Sequence, residues 1–467
     1  MLGEDILFLP VTELSQRIKA RKLSPVELTE SYLERSRRLG PRLNAYVTLT
    51  EKLALEQARV AEKEIAAGKY RGPLHGIPYA AKDLLAVKGY PTTWGARPFA
   101  NQQFDFDATV IRKLEAAGAV LIGKAAMIEL AGGMGYRYAS AALTGPAKNP
   151  WNTECWTCGS SSGSGAIMAA GLAAFAIGTE TWGSIICPSG FTGTTGLRPT
   201  FGRVSRYGAM ALAYSMDKIG PMCRTAEDCD LVLQTISGHD PQDLSSLPES
   251  EARYESAAKP TGRLRLGWLS NQWKKLSPDV AQAVGTARKV IETESSFTVS
   301  NIDLPEGPWE AAAGVVVSVE GASAFRSLIK SGRVAELNDP LGKIGGYMNE
   351  EISASDFILA QRIRAILQTK MDAVFAQAEV LVAASLPVTA TSLSANLDDA
   401  LSFPDPIGGI GNFCGLPAIC VPCGFGSQGT PIGLQFVARP LDDAKVVQAA
   451  RLFQSHTNWH TEHPKLA

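Results

Sequence analysis

Along the first third of the chain, apolar residues recur at helical spacing. Ser24-Pro25-Val26-Glu27 forms a capping box with proline at the first helical position, and Leu28, Tyr32 and Leu33 continue one face. A second helix is predicted over 51–67, stopped by Gly68. The period then changes. Residues 76–81 form a short continuous apolar run, which predicts a buried strand ending at Lys82-Asp83. A helix over 108–117 leads through Gly118 into a strand over 119–122. Residues 149–208 are dense in Gly, Ser, Thr and Cys, yet they enclose the apolar run 166–177. That pattern predicts glycine-lined loops wrapped around one buried helix. From 238 to 259 the chain is polar and rich in Ser, Pro and Glu, as a surface linker is. Beyond it the pattern predicts a strand (264–269), a helix (279–293), a strand (297–302), a helix (356–376) and a strand (380–383). Two further strands, 418–422 and 432–437, close the chain. Helices alternating with short apolar strands argue for an α/β protein with a mixed or parallel sheet.

Composition narrows this picture. The chain has 467 residues, 45% hydrophobic and 19% charged, enough for a large core in one domain spanning 1–467. Within it, about 240–405 is expected to form a variable subdomain or lid over a substrate cleft. A net charge of -1 argues against a nucleic-acid or anionic-membrane partner. The N-terminus lacks a basic region and a small-residue cleavage site, and the longest apolar stretch, 165–178, is too short to span a bilayer. The expected location is therefore cytoplasmic. The eight cysteines include two C-x-x-C pairs, Cys155/Cys158 and Cys420/Cys423. No histidine or third cysteine completes either pair locally, so buried reduced thiols are expected, with neither metal nor cofactor.

Three features carry chemistry. Lys82 ends an apolar strand, where a lysine is costly unless it is neutral or well hydrogen-bonded. The others are Cys158-Gly159-Ser160-Ser161-Ser162-Gly163-Ser164-Gly165 and Gly178-Thr179-Glu180-Thr181-Trp182-Gly183-Ser184. Taken singly, each is more often a solvated charge, a flexible loop or a tight turn.

Together, in this order, they resemble the amidase signature family. Its pattern is G-I-P-x-x-x-K-D, then G-G-S-S-G-G-S, then G-T-D-T-G-G-S-I-R. The corresponding stretches here are 76–83, 158–164 and 178–186, and the 24-residue step from Ser160 to Ser184 also matches. The stretches 196–205, 217–221, 415–418 and 431–435 extend the likeness over most of the chain. The resemblance implies the amidase signature fold, a central mixed β-sheet with helices on both faces. It also implies a Ser–Ser–Lys triad: Ser184 as nucleophile, Ser160 as a bridging serine on a cis peptide bond, and Lys82 as base. Backbone N–H groups of Thr181, Trp182, Gly183 and Ser184 would form the oxyanion hole. A lysine acts as a base only when neutral, so its pKa must fall towards neutrality through burial, and Asp83 must point away from it.

The nucleophile loop departs from the family pattern. Glu180 stands where Asp is usual, Ile186 where Arg is usual, and Trp182 where the first Gly is usual. The lost Arg leaves Glu180 in need of another donor. Trp182 is tolerable if its φ is negative. Ile186 and the stretch holding Met134, Gly135 and Tyr136 are expected substrate contacts, favouring hydrophobic or aryl amides or carbamates over short aliphatic amides. A small-molecule amide or carbamate is the expected partner, with a homodimer as the one macromolecular association. Three other readings exist. Ser161 fits the G-x-S-x-G elbow of α/β-hydrolases, with His239, His456, His460 or His463 as base. The chain could instead be the glutaminase component of a tRNA amidotransferase, or a binding protein that keeps the fold without the activity.

Overall fold

The computed structural model describes residues 2–256, 262–271, 275–401 and 405–466. Its strands are β1 (Tyr46–Leu49), β2 (Pro78–Lys82), β3 (Val120–Ala125), β4 (Lys148–Asn149), β5 (Asn152–Trp156), β6 (Phe175–Glu180) and β7 (Thr195–Arg198). They continue with β8 (Lys218–Cys223), β9 (Leu264–Leu269), β10 (Phe297–Ile302), β11 (Val380–Ala384), β12 (Ala418–Phe425) and β13 (Pro431–Ala438). Among the described residues, β4 and β5 pair with each other, and the other eleven form one sheet in the order β1-β3-β2-β6-β8-β7-β12-β13-β11-β9-β10. The sheet is mixed. The β3-β2-β6 and β11-β9-β10 groups are parallel, and the pairs joining them through β8, β7, β12 and β13 are antiparallel.

The central strands are buried at every position, without the alternation of a half-exposed sheet, so both faces must be covered. Adjacent residues of β7 identify the covers. Thr195 accepts a hydrogen bond from Gln454 of the helix Asp443–Ser455, whereas a Cβ on Gly196 would point at Ser189 of the helix Ile186–Thr192. Successive side chains leave a strand on opposite faces, so these two helices lie on opposite sides.

The early helices form as their capping predicts. Ser24 accepts from the Glu27 N–H at 3.1 Å, and the helix runs Pro25–Leu43. Two expectations are corrected. The run 166–177 is not one helix. A short helix, Ser162–Ala169, ends in a turn at Gly171 with φ +65°, and β6 follows. A short apolar run has no period that separates a buried helix from a strand buried between β2 and β8. The stretch 238–259 is not a free linker either, although 257–259 lie outside the described residues. Asp240 accepts from Thr109 and Ser205 at 2.6 Å each, Asp243 holds Arg206, and Tyr254 is buried. Its polar residues are committed to bonds with the body. Within 240–405, β9, β10 and β11 complete one edge of the sheet, and the helices Trp309–Ala324, Gly342–Glu350 and Ala354–Gln377 pack together.

Candidate active site

Lys82 ends β2 between two parallel neighbours, which is what buries it completely. Its ammonium reaches Ser160 Oγ at 2.7 Å, Ser161 Oγ at 2.9 Å and Thr179 Oγ1 at 2.9 Å. All three partners are neutral hydroxyls. Burial is the dominant influence and brings Lys82 down to about 7, against the opposing pull of Asp217 and Glu180. The adjacent Asp83 does point away, to Lys124 at 3.0 Å and to the Thr93 N–H at 2.9 Å.

Ser160 sits in the turn before the helix Ser162–Ala169, and the Gly159–Ser160 peptide bond is cis. Ser161 donates to Thr179 O at 3.1 Å while accepting from Lys82, so its proton is committed. The Ser160 proton has no such acceptor among the described residues and is available to the Lys82 amine. Ser161 therefore does not serve the elbow reading: it is fully buried against Lys82 and Thr179. The histidines proposed as its base lie in other parts of the structure. His456 pairs with Glu294, His463 stacks on Phe8, His239 bonds Leu247 O, and His460 lies in the short turn Trp459–Thr461.

Ser184 lies in the loop between β6 and the helix Ile186–Thr192 and keeps a small exposure of 7%. Glu180 organises that loop from inside. One carboxylate oxygen accepts from the Ile185 and Ile186 N–H groups at 2.8 and 3.0 Å, and the other from Arg198 at 2.6 Å and Asn412 at 2.9 Å. Burial alone would raise this carboxyl, but Arg198, Lys218 and the Ile186 N–H outweigh it and hold it at about 2. The donor missing at position 186 is thus replaced by Arg198 of β7 and by a backbone N–H of Ile186 itself. Gly183 has φ +81°, and a Cβ there would lie 2.7 Å from Cys187 Sγ, so the loop needs glycine at this point. Trp182 keeps a negative φ. Among the described residues, the N–H groups of Thr181, Trp182, Gly183 and Ser184 donate to no protein acceptor, which leaves them free for an anionic oxygen.

One cavity reaches this loop and a second lies close to it. The first, of about 290 Å³, is lined by Thr179, Thr181 and Asp217 and by Met210, Leu212, Tyr207 and Tyr214. Thr181 Oγ1 donates to Asp217 at 2.5 Å, and Asp217 also accepts from the Leu212 and Ala213 N–H groups. The other, of about 550 Å³, is lined by Trp309, Glu310, Asp405 and Ile410. Gly409 brings Glu310 and the Trp182 ring together beside it. Burial pushes Asp405 up to about 7, against the Ile407 N–H, Arg198 and Gln435.

The expected substrate contacts lie apart from these walls. Ile186 is fully buried in the core, Met134 packs on Gly345 and Gly346, Gly135 faces Leu341, and Tyr136 meets Trp156 edge-on at 6.2 Å. None of the four lines either cavity. All eight thiols are free, and the described residues contain no group of three or more potential metal ligands. No helix among them is long and apolar enough to cross a membrane. Sequence reasoning missed Thr179, Arg198, Asn412 and Lys124, and it did not see Ser161 as a partner of Lys82. A charged residue inside an apolar strand was the available signal for Arg198 and Lys124.

A large mixed sheet, two serine-bearing turns and a buried lysine bonded to the first of them suit an α/β enzyme of hydrolytic chemistry. A family model described as Amidase matches residues 27–447, and the chain belongs to the amidase signature family of amidohydrolases. It is 35% identical to a glutamyl-tRNA(Gln) amidotransferase component from Cupriavidus taiwanensis, over 97% of this chain and 98% of that one. The peptide amidase of Stenotrophomonas maltophilia superposes with a TM-score of 0.86 at 28% identity, covering 96% of this chain and 97% of the other. A bacterial aryl acylamidase shares the fold, with a TM-score of 0.85 at 24% identity over 97% of this chain and 98% of its own.

Proposed function

We propose that the protein hydrolyses C(=O)–N bonds through an acyl-enzyme on Ser184, with Ser160 as proton relay and Lys82 as base. The observation that carries this reading is Lys82: a fully buried amine, held near 7 by burial, 2.7 Å from Ser160. Ser184 Oγ attacks the carbonyl carbon while its proton passes to Ser160 and that of Ser160 to Lys82 Nζ. The N–H groups of 181–184 hold the resulting oxyanion. Collapse breaks the C–N bond, and the amine leaves with the proton returned through Ser160. Water then adds to the ester by the same route and releases the acid.

The apolar walls and two tyrosines of the 290 Å³ cavity support a hydrophobic or aryl group on one side of that bond. Amides, and aryl carbamates with the same carbonyl, are the substrate class. The test is purified Lys82→Ala, Ser160→Ala and Ser184→Ala protein against an anilide, an aryl carbamate, a peptide amide, acetamide and glutamine. Loss of anilide turnover in all three variants is expected, and retained turnover in Ser184→Ala refutes the nucleophile. Preference for acetamide over anilides would remove the hydrophobic assignment.

The 35% identity to an amidotransferase component, over nearly the whole chain, favours one second reading: release of ammonia from glutamine for a partner protein. Glutamine as the best substrate, with a co-purifying partner, would replace the first reading. A folded protein inactive on every amide would point to a binding role.

A further inference from the structure

The residue that follows the proposed base is an aspartate. An opposite charge within a few ångström favours an ammonium over an amine, so a free carboxylate at Asp83 would hold the proton on Lys82. The sheet separates them. Lys124 is paired with Ala81 in the parallel β2-β3 ladder, so its side chain leaves on the face opposite to that of Lys82. There its ammonium meets Asp83 Oδ1 at 3.0 Å, Thr92 Oγ1 at 2.8 Å and Pro91 O at 3.2 Å. The second oxygen of Asp83 accepts the N–H and the hydroxyl of Thr93. Lys82, Asp83 and Lys124 are all fully buried, so no water screens one from another.

We propose that Lys124 is a positioning residue of the reaction: by pairing with Asp83 it turns that carboxylate away from Lys82 and cancels its charge. The inference rests on the reading of Lys82 as the base. The other charges facing Lys82 are already accounted for. Glu180 on β6 is matched by Arg198 on β7, and Asp217 before β8 is held by Thr181 and two backbone N–H groups. On its own face Lys124 meets Asp83 and, more remotely, Asp107. Asp83 is the charge nearest in sequence to the amine, and Lys124 is the group that offsets it.

The experiment is the pH profile of kcat/KM on an anilide. Lys124→Gln leaves Asp83 unmatched, and its acid limb should move up by about one pH unit. Asp83→Asn leaves Lys124 unmatched, and its limb should move down. The double variant should return the limb to the wild-type position. An acid limb that stays in place in the folded single variants overturns the proposal, even where the plateau falls, because that is what a purely structural role produces. If Lys124→Gln does not fold, the downward shift in Asp83→Asn decides alone. Retained activity in Lys82→Ala would instead overturn the assignment of the base and leave the Asp83–Lys124 pair a structural one.

Discussion

The two faces of the sheet at β2 and β3 each bury a lysine, and they treat it in opposite ways. On one face, among the described residues, Lys82 meets only neutral oxygens, the hydroxyls of Ser160, Ser161 and Thr179 and the Thr179 carbonyl. On the other, Lys124 meets the carboxylate of Asp83. Burial lowers both, but only Lys124 is drawn back by a direct carboxylate partner. A desolvated amine ringed by neutral acceptors can exchange a proton at neutral pH, whereas a direct carboxylate partner favours the ammonium. The same sheet, one strand apart, thus surrounds one lysine with neutral oxygens and gives the other a carboxylate; in the proposed mechanism the first is the base and the second positions the charge beside it.

The strongest way to break the comparison is to remove the proposed base. Lys82→Ala should lower kcat/KM by about a thousandfold or more while the protein stays folded, measured by steady-state kinetics beside a thermal melt. Next comes the buried Glu180–Arg198 ion pair, which shapes the serine loop. Arg198→Met strands Glu180, and unfolding titrations should show a loss of roughly 3–5 kcal/mol. Since Glu180 titrates at about 2 in the fold against 4.5 ordinarily, its contribution is complete above pH 4.5 and lost as pH falls towards 2. A kcat/KM profile sharpens the contrast further. Activity should rise with pH through about 7 and level off above, because Lys82, as the proposed base, works as the neutral amine. Over the same range stability should rise with pH, since unfolded lysine keeps its proton up to about 10.5 and folded Lys82 does not. Ser161→Ala removes one acceptor from Lys82 and should cost about tenfold in kcat/KM. The smallest effect is expected at Tyr214→Ala, a several-fold rise in KM for an anilide with acetamide unchanged, which would place the aryl group in the 290 Å³ cavity.

Much of the fold was readable from local pattern. The capping box at Ser24, the strand ending at Lys82, and the strands 264–269 and 297–302 all lie where their patterns place them. Local pattern failed where the environment decided the outcome. The run 166–177 divides into helix and strand because β2 and β8 receive its second half. The polar stretch from 238 is tied down because Thr109, Ser205 and Arg206, distant in sequence, supply its bonds. Glu180 shows the same limit at the site. Its need for a donor was visible at Ile186, but the donor, Arg198, comes from a neighbouring part of the sheet and Asn412 from the other end of the chain.

The sequence by itself determined the family, the order of the strand-end lysine and the two serine turns, and the requirement that Asp83 turn aside. Only the tertiary structure decided which face each lysine takes, what pairs with Asp83 and Glu180, and which walls border the serine loop. The reason is physical. Motifs and periodicity record what a residue needs from its near neighbours, whereas the charge state of a buried lysine depends on groups that the sheet brings to it from distant strands.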